Sequence, residues 1–175
     1  QWFGAEHFLM GAGHGAWIRD NDGEWRSAPV QVPDWKDDIR PIIQRMVDRT
    51  PGAVMEEKDF SLAWHYRNSE PELGTIRTAE LRETLIALTT NLELSVLDGN
   101  RVLEVKPAHI HKGRIAHHFL ERGPWDLVMA IGDDATDEYM FQALPPDAVS
   151  IKVGVGTTAA KYSIDGIESV HQLLN

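Results

Sequence analysis

The segment Trp125-Asp126-Leu127-Val128-Met129-Ala130-Ile131-Gly132-Asp133-Asp134-Ala135-Thr136-Asp137-Glu138 decides the fold class. Its first half, Trp125 to Ile131, is nearly all apolar, which is typical of a central parallel strand that is covered on both faces. Its second half places carboxylates directly after that strand. Ligands bind at the carboxyl ends of the strands in an open parallel sheet. The segment therefore predicts an α/β fold with a parallel sheet and a polar site at the sheet edge.

The carboxylates of this segment predict a metal site formed by Asp133, Asp134 and Asp137. Like charges at close range repel one another, so the cluster needs a positive partner. Mg²⁺ prefers carboxylate and water oxygens and keeps open positions for a phosphate group. The alternative interpretation is an acidic surface turn in which an aspartate caps the short helix that follows. The position directly after an apolar strand favours the metal.

A lysine at the start of a helix is the second candidate for chemistry. Lys106-Pro107 precedes His111-Lys112-Gly113, and Lys112 is predicted to begin a helix beside the same sheet edge. An ammonium group there could neutralise a phosphoryl group and hold a carboxylate in place. The alternative for this residue is an exposed, solvated lysine.

The C-terminal part of the chain alternates between helices and strands. The predicted elements are helix Lys112–Leu120, the strand ending at Ile131, helix Asp137–Ala143, strand Val149–Val153 and helix Ile167–Leu174. Such alternation indicates parallel strands joined by right-handed crossovers. The apolar run that begins at Phe8 and ends in glycines at Gly15 reads as a further buried strand, and Ala16–Arg19 as a short one. We therefore assign residues 1–20 and 106–175 to one partial core layer.

The middle of the chain has a different pattern, which predicts an inserted α+β module over residues 21–105. Its predicted elements are helices Trp35–Val47 and Pro71–Thr89, strands Ala53–Glu57 and Phe60–Tyr66, and a hairpin of Leu92–Leu97 with Arg101–Val105. The second helix is expected to bury most of a set of apolar residues, Leu73, Ile76, Leu81, Leu85 and Leu88. The change of pattern near residues 20 and 106 predicts two modules.

Composition limits the possible partners. The 175 residues carry a formal net charge of −10, are 42% apolar and include no cysteine. The acidic balance argues against nucleic acid and anionic membranes, since phosphate-binding surfaces cluster Lys and Arg, but a small phosphorylated substrate needs only a few local cations. No apolar run approaches the ~18 residues of a membrane helix and no signal peptide is visible. We predict a cytoplasmic location.

Several motifs, in order, resemble the trehalose-6-phosphate phosphatases of the haloacid-dehalogenase superfamily. Ala130–Phe141 is similar to the fourth motif of that family, and Lys112-Gly113 to its third. The other similar stretches are His14–Arg19 at the cap entrance, Leu62–Arg67 followed by Pro71–Gly74 in the cap, and Gly99–Pro107 at the return to the core. The likeness is greatest to the phosphatase half of bifunctional synthase/phosphatase proteins.

The resemblance implies a Mg²⁺-dependent phosphatase that releases phosphate from trehalose-6-phosphate, with a haloacid-dehalogenase-like core and a cap that closes over the sugar. It implies that Lys112 and Asp133 are catalytic and that Asp133, Asp134 and Asp137 hold or orient Mg²⁺. The implied substrate-binding residues are His14, Arg19, His65, Arg67, Glu104 and Lys106. A synthase domain fused to the phosphatase is a further implication.

The sequence departs from the family pattern at the nucleophile. The superfamily uses the first aspartate of an Asp-x-Asp-Gly motif that precedes the cap. Asp20-Asn21-Asp22-Gly23 has the right letters, but it follows the cap-entrance stretch instead of a buried core strand. We expect that the core is incomplete at its N-terminus and that this chain alone is inactive. Gly13 also replaces the usual Glu. The alternative function is a non-catalytic, phosphatase-like module that binds sugar phosphate or has a regulatory role.

Overall fold

The structure is a computed structural model that describes residues 8–28 and 35–175. The chain divides into one unit of residues 1–28 and 110–175 and another of residues 29–109. The described elements of the first unit are β1 (Met10–Ala12), β2 (Trp17–Arg19), β3 (Trp25–Ser27), α3 (Lys112–Leu120), β8 (Met129–Gly132), α4 (Glu138–Ala143), β9 (Val149–Val153), β10 (Tyr162–Ile164) and α5 (Ile167–Leu174). Those of the second are α1 (Trp35–Asp48), β4 (Val54–Lys58), β5 (Ser61–His65), α2 (Pro71–Thr89), β6 (Leu94–Gly99) and β7 (Val102–Pro107).

The parallel sheet of the first unit has the order β10-β9-β8. In its register Met129 pairs with Val149 and Gly132 with Lys152, so β8 and β9 end at the same edge. Parallel strands joined through helices confirm the predicted α/β class. The strand β10 carries no strong apolar pattern and was not predicted.

The strand β8 is shorter than the apolar run that predicts it. It begins at Met129, while Trp125 is 49% exposed and Leu127 is 65% exposed. Within the described residues β8 is an outer strand, so it pairs only with β9, which itself begins at Val149. The prediction of a strand from Trp125 covered on both faces is therefore wrong for its first residues.

The N-terminal strands form a separate antiparallel sheet. Its order is β1-β2-β3, with Met10 paired to Arg19 and Trp25 also paired to Arg19. The turn between β1 and β2 has three consecutive residues with positive φ, from Gly13 to Gly15, and it reverses the chain. The expectation that Phe8–Gly15 belongs to the parallel layer is wrong, because this reversal pairs β1 with its own neighbour.

The second unit is a four-stranded antiparallel sheet with helices packed on it. The strand order is β4-β5-β7-β6. Its core is built from α1, α2 and one face of the sheet, with Trp35, Ile39, Ile43, Leu62, Trp64, Leu81, Leu85, Leu103 and Val105 among its buried residues. Full burial of one such side chain contributes roughly 1.5–3 kcal/mol. This unit confirms the α+β character predicted for the middle of the chain.

Two details of the second unit differ from the sequence prediction. On α2, Ile76 is 63% exposed and Leu88 is 45% exposed, because the buried stripe of that helix passes through Leu81 and Leu85 instead. The strand β7 also continues to Pro107, since its residues keep pairing with β6 as far as Leu94. None of the helices in the described ranges has the length and apolar character that crossing a membrane requires.

Candidate active site at the carboxyl edge of the parallel sheet

The acidic loop, residues 133–138, begins where β8 ends, and Gly132 makes its path possible. A Cβ placed on Gly132 would lie 2.4 Å from Cγ and 2.5 Å from Oδ2 of Asp137. Only glycine therefore fits, because the Asp137 side chain folds back against the last residue of the strand. Asp137 is buried, with 4% of its surface exposed. The glycine thus brings a buried carboxylate to the sheet edge.

Both carboxylate oxygens of Asp137 are occupied by hydrogen bonds. Lys112 Nζ donates to Oδ1 at 2.6 Å, and the backbone N–H of Asp134 donates to Oδ2 at 2.9 Å. Lys112 is the first residue of α3, and Gly113 lets that helix approach α4, since a Cβ there would lie 2.5 Å from the carbonyl oxygen of Tyr139. The close approach of the two helices places the Lys112 ammonium against the loop. The predicted meeting of a lysine and this acidic loop is present in the structure.

The other two aspartates of the loop differ from Asp137 in their exposure to solvent. Asp133 and Asp134 are both exposed, in contrast to Asp137. The backbone carbonyl oxygen of Asp133 accepts a hydrogen bond of 2.6 Å from Lys152 Nζ. Lys152 lies on β9 and is only 7% exposed. The motifs do not predict Lys152; the signal in the sequence was a lysine between two apolar residues of a strand, Val149–Val153.

The donor set of the loop fits Mg²⁺ in a particular way. Among residues 8–28 and 35–175, no group of three or more His, Asp or Glu side chains converges as an all-protein metal cage. Mg²⁺ does not need such a cage, because it usually binds one or two carboxylates, several waters and the phosphate of a substrate. The exposed Asp133 carboxylate can serve in that way, whereas the oxygens of Asp137 are committed to Lys112 and Asp134.

A cleft of about 480 Å³ lies at the carboxyl ends of β8 and β9. Asp133 lines it together with Gly154 and Asp165. Gly154 has a φ of 85°, which lets the chain leave β9 sharply. The position and size suit a small phosphorylated ligand, as expected at the edge of an open parallel sheet.

The turn Asp20-Asn21-Asp22-Gly23, which matches the Asp-x-Asp-Gly pattern, forms ion pairs. Asp20 accepts hydrogen bonds from His118 Nε2 at 3.0 Å, from Arg122 at 2.7 Å and from Arg26 at 3.2 Å. The hydrogen bond with His118 is the main reason why the pKa of Asp20 lies below its ordinary value. Asp22 pairs with Arg26, which lowers its pKa as well. The turn joins two antiparallel strands, β2 and β3, and not a parallel strand and a helix.

Three of the predicted sugar-binding residues share the polar face of the second unit's sheet. Glu104 and Lys106 alternate with the buried Leu103 and Val105 along β7, and His65 lies on the matching face of β5. Ser61 Oγ donates to Glu104 Oε1 at 2.6 Å, and His65 Nε2 lies 2.8 Å from Glu56 Oε2. Burial lowers the pKa of Lys106, and the nearby Glu104 opposes that shift.

The remaining predicted residues are spread over both units. Arg67 is exposed, beyond the end of β5. In the first unit His14 lies in the left-handed turn with a φ of 57°, and Arg19, at the end of β2, lies with Nη1 3.8 Å from Met10 Sδ. The geometry within each unit therefore groups Lys112, Asp133 and Asp137, and separately Glu104, Lys106 and His65.

The fold and the loop place this chain among the haloacid-dehalogenase-like α/β proteins with an additional α+β unit. More narrowly, it belongs to the trehalose-phosphatase family, whose family model matches residues 1–168. A bifunctional trehalose-6-phosphate synthase/phosphatase of Thermoproteus tenax is 34% identical over 173 residues, which are 99% of this chain and 24% of that protein. A trehalose-phosphatase of Saccharomyces cerevisiae is 32% identical over 167 residues, covering 82% of this chain and 19% of that protein.

A solved structure shows the same fold. The C-terminal domain of the C. albicans trehalose-6-phosphate phosphatase has a TM-score of 0.85 at 24% identity and covers 99% of this chain and 71% of that chain. The chain thus spans less than a quarter of the length of the two curated relatives, at 24% and 19%, and about 71% of the solved domain.

Proposed function

We propose that this chain is the larger part of a Mg²⁺-dependent phosphatase domain that hydrolyses trehalose-6-phosphate to trehalose and phosphate. The observation that carries the proposal is the Lys112–Asp137 ion pair of 2.6 Å beside the exposed Asp133 at the carboxyl edge of the parallel sheet. Membership of the trehalose-phosphatase family supplies the substrate. The proposed location is cytoplasmic, and the bifunctional relative suggests a synthase domain in the same protein.

In this mechanism the three aspartates of the acidic loop and Lys112 each have a separate role. Asp133 presents its carboxylate to Mg²⁺, which when bound neutralises charge on the phosphoryl oxygens. Lys112 adds a second positive charge toward the phosphoryl group as negative charge develops in the transition state. Asp137 holds the Lys112 ammonium in one direction, and Asp134 fixes Asp137 through its backbone N–H. The exposed carboxylate of Asp134 would help to hold a bound Mg²⁺ through water.

The attacking carboxylate is proposed to come from a segment outside this sequence. Its oxygen would bond to phosphorus while the bond from phosphorus to the sugar oxygen breaks, and that oxygen would take a proton from the second aspartate of the same motif. Water, losing a proton to that aspartate, would then release phosphate from the aspartyl-phosphate and free the attacking carboxylate. Asp20 is a poor candidate because the side chains of His118, Arg122 and Arg26 occupy its carboxylate. Asp22 is engaged by Arg26 in the same way.

We further propose that the first unit, residues 1–28 and 110–175, is the phosphatase core and that the second unit, residues 29–109, is the cap, whereas the sequence pattern placed these limits near residues 20 and 106. The polar sheet face with His65, Glu104 and Lys106 would hydrogen-bond sugar hydroxyls, because it combines a carboxylate acceptor with a lysine donor and an imidazole. Arg67, His14 and Arg19 are proposed as further contacts. Alanine at Glu104 should therefore raise the KM for trehalose-6-phosphate more than it lowers kcat.

A second candidate function is a non-catalytic module that binds sugar phosphate. It is favoured by one observation: the only Asp-x-Asp-Gly letters in the chain lie in an ion-paired turn. Such a module would bind trehalose-6-phosphate with Mg²⁺ but would not release phosphate from it in the full-length protein.

The test is phosphate release from trehalose-6-phosphate by the full-length protein with and without Mg²⁺. We expect turnover that needs the metal and that Lys112→Met lowers by about 10²–10³-fold, the usual effect of removing one group that stabilises transition-state charge. Lys161→Met is the matched control, since Lys161 Nζ donates to the carbonyl oxygen of Ala148 at 2.6 Å, away from the acidic loop. Binding without turnover would instead establish the second candidate. Residues 1–175 alone should release no phosphate, and turnover by them would make Asp20 and Asp22 the first candidates for the nucleophile.

A further inference from the structure

A second lysine reaches the acidic loop from β9. Lys152 is 7% exposed, and its Nζ donates at 2.6 Å to the backbone carbonyl oxygen of Asp133. It lies opposite Gly132 in the register of the two strands. The ammonium therefore lies beneath the point where β8 turns into the loop. A charged group is rarely buried without a partner, because burial costs several kcal/mol or more.

The hydrogen bond from Lys152 restrains Asp133, the residue with the exposed carboxylate. The bond is made to the main chain of Asp133, so it leaves the Asp133 side chain available while it restrains the backbone from which that side chain extends. Asp134 is restrained by the bond from its N–H to Asp137 Oδ2. The first two residues of the loop are thus each held by a hydrogen bond, Asp133 by Lys152 and Asp134 by Asp137.

We propose that Lys152 is a positioning residue that directs the Asp133 carboxylate toward the divalent cation. This inference rests on the proposed function, since it assigns Lys152 a role in the same site. Lys152 is not a catalytic residue, because it acts through the main chain of Asp133. Groups that orient metal ligands typically change metal affinity or activity by about 10–100-fold when they are removed.

The variants Lys152→Met and Lys152→Arg test whether Lys152 positions Asp133 or only fills space in the interior. Methionine keeps an unbranched apolar chain and removes the donor and the charge, whereas arginine keeps both. Lys161→Met is the matched control, because it also removes a lysine that bonds to backbone carbonyl oxygens in the same unit. The thermal midpoint of each variant reports any general loss of stability.

The measurements use the full-length protein. Mg²⁺ affinity is measured by titration calorimetry without substrate, and phosphate release from trehalose-6-phosphate is measured over a range of Mg²⁺ concentrations. We expect Lys152→Met to weaken Mg²⁺ binding and to raise the half-saturating Mg²⁺ concentration by about 10–100-fold. The KM for the sugar phosphate should stay within about 2-fold, excess Mg²⁺ should recover part of kcat, and Lys152→Arg should restore most of the affinity.

Two results would overturn the inference. Equal Mg²⁺ affinity in Lys152→Met and Lys161→Met would show that Lys152 only fills the interior. Tighter Mg²⁺ binding in Lys152→Met would show that its charge repels the metal and that its bond to Asp133 contributes nothing. A protein that binds Mg²⁺ but releases no phosphate would refute the proposed function, while the calorimetric comparison would still decide the role of Lys152.

Discussion

Gly132→Ala is the perturbation that the geometry of the acidic loop constrains most tightly. The new Cβ would lie 2.4 Å from Cγ of Asp137, whereas ordinary contact begins at 3.4 Å, so Asp137 must retreat by about 1 Å. A retreat of that size along the 2.6 Å bond from Lys112 would lengthen it to about 3.6 Å, beyond hydrogen-bonding distance. The bond from Asp134 N–H would weaken with it.

The expected loss of stability follows from the loss of the hydrogen bond between Lys112 and Asp137. A hydrogen bond to a charged group contributes about 1.5–3 kcal/mol, so about 2 kcal/mol of stability should be lost, which lowers the thermal midpoint by roughly 4–8 °C for a domain of this size. A catalytic group that is misplaced by about 1 Å can lower the rate by about 10²-fold. We therefore expect Gly132→Ala in the full-length protein to lower both the midpoint, followed by circular dichroism, and the kcat of phosphate release.

Gly166→Ala is the matched control, because its nearest contact would be Glu168 Oε2 at 3.6 Å. A double-mutant cycle with Asp137→Gly isolates the cause, because glycine also removes the Asp137 Cβ, which would lie 2.5 Å from the new Cβ: if the clash is with Asp137, Gly132→Ala should cost much less stability in the Asp137→Gly background. A clash with Asp137 is ruled out if Gly132→Ala behaves like Gly166→Ala, or if the stability that it costs is unchanged when the Asp137 side chain is absent.

The remaining predictions concern charge. Asp133→Asn should lower Mg²⁺-dependent turnover by about 10²–10³-fold with the thermal midpoint unchanged, since the amide keeps the shape and loses the charge; wild-type activity would refute the assignment. The pKa of Asp20 is lowered chiefly by its bond with His118, so Asp20 stabilises the native state above its ordinary pKa of 3.8 and loses that contribution as the pH falls through the folded value. The midpoints of wild type and Asp20→Asn should therefore converge on acidification, and a constant difference would contradict this. Arg40 lowers the pKa of Glu57 from 4.5 to about 2, so Glu57→Gln should likewise differ from wild type above pH 4.5 and approach it toward pH 2 in the same thermal scans.

The acidic loop was predictable because its signal is local. An apolar strand followed by glycine and carboxylates leads to a sheet edge in any open parallel sheet, and Lys112 could be placed there because it begins the preceding helix. The burial or exposure of each carboxylate, however, does not depend on the local sequence. Asp137 is buried because Lys112, 25 residues away in the sequence, satisfies it, and no pattern within the loop distinguishes it from the exposed Asp133.

The N-terminal sheet shows the opposite case, in which local reading fails. An apolar run that ends in glycine is equally consistent with a strand of a parallel core and with one arm of an antiparallel pair. The choice was made by the turn at Gly13–Gly15, where His14 takes a φ of 57°, a conformation that few residues other than glycine adopt. The identity of a histidine does not reveal it, so the sequence could predict the strand but not its partner.

The charges around the loop explain why an acidic chain can still be expected to bind a phosphate. The loop carries four carboxylates, on Asp133, Asp134, Asp137 and Glu138, and two ammonium groups reach it, from Lys112 and Lys152. Asp165 lines the same cleft, so five carboxylates face two ammonium groups at this edge; their negative excess would repel a phosphate dianion, and one divalent cation would cancel most of it. The net charge of −10 therefore says little about this edge, where the balance depends on two lysines and on the metal. Under the proposed function, Mg²⁺ would therefore be needed for the phosphate to approach as well as for the reaction.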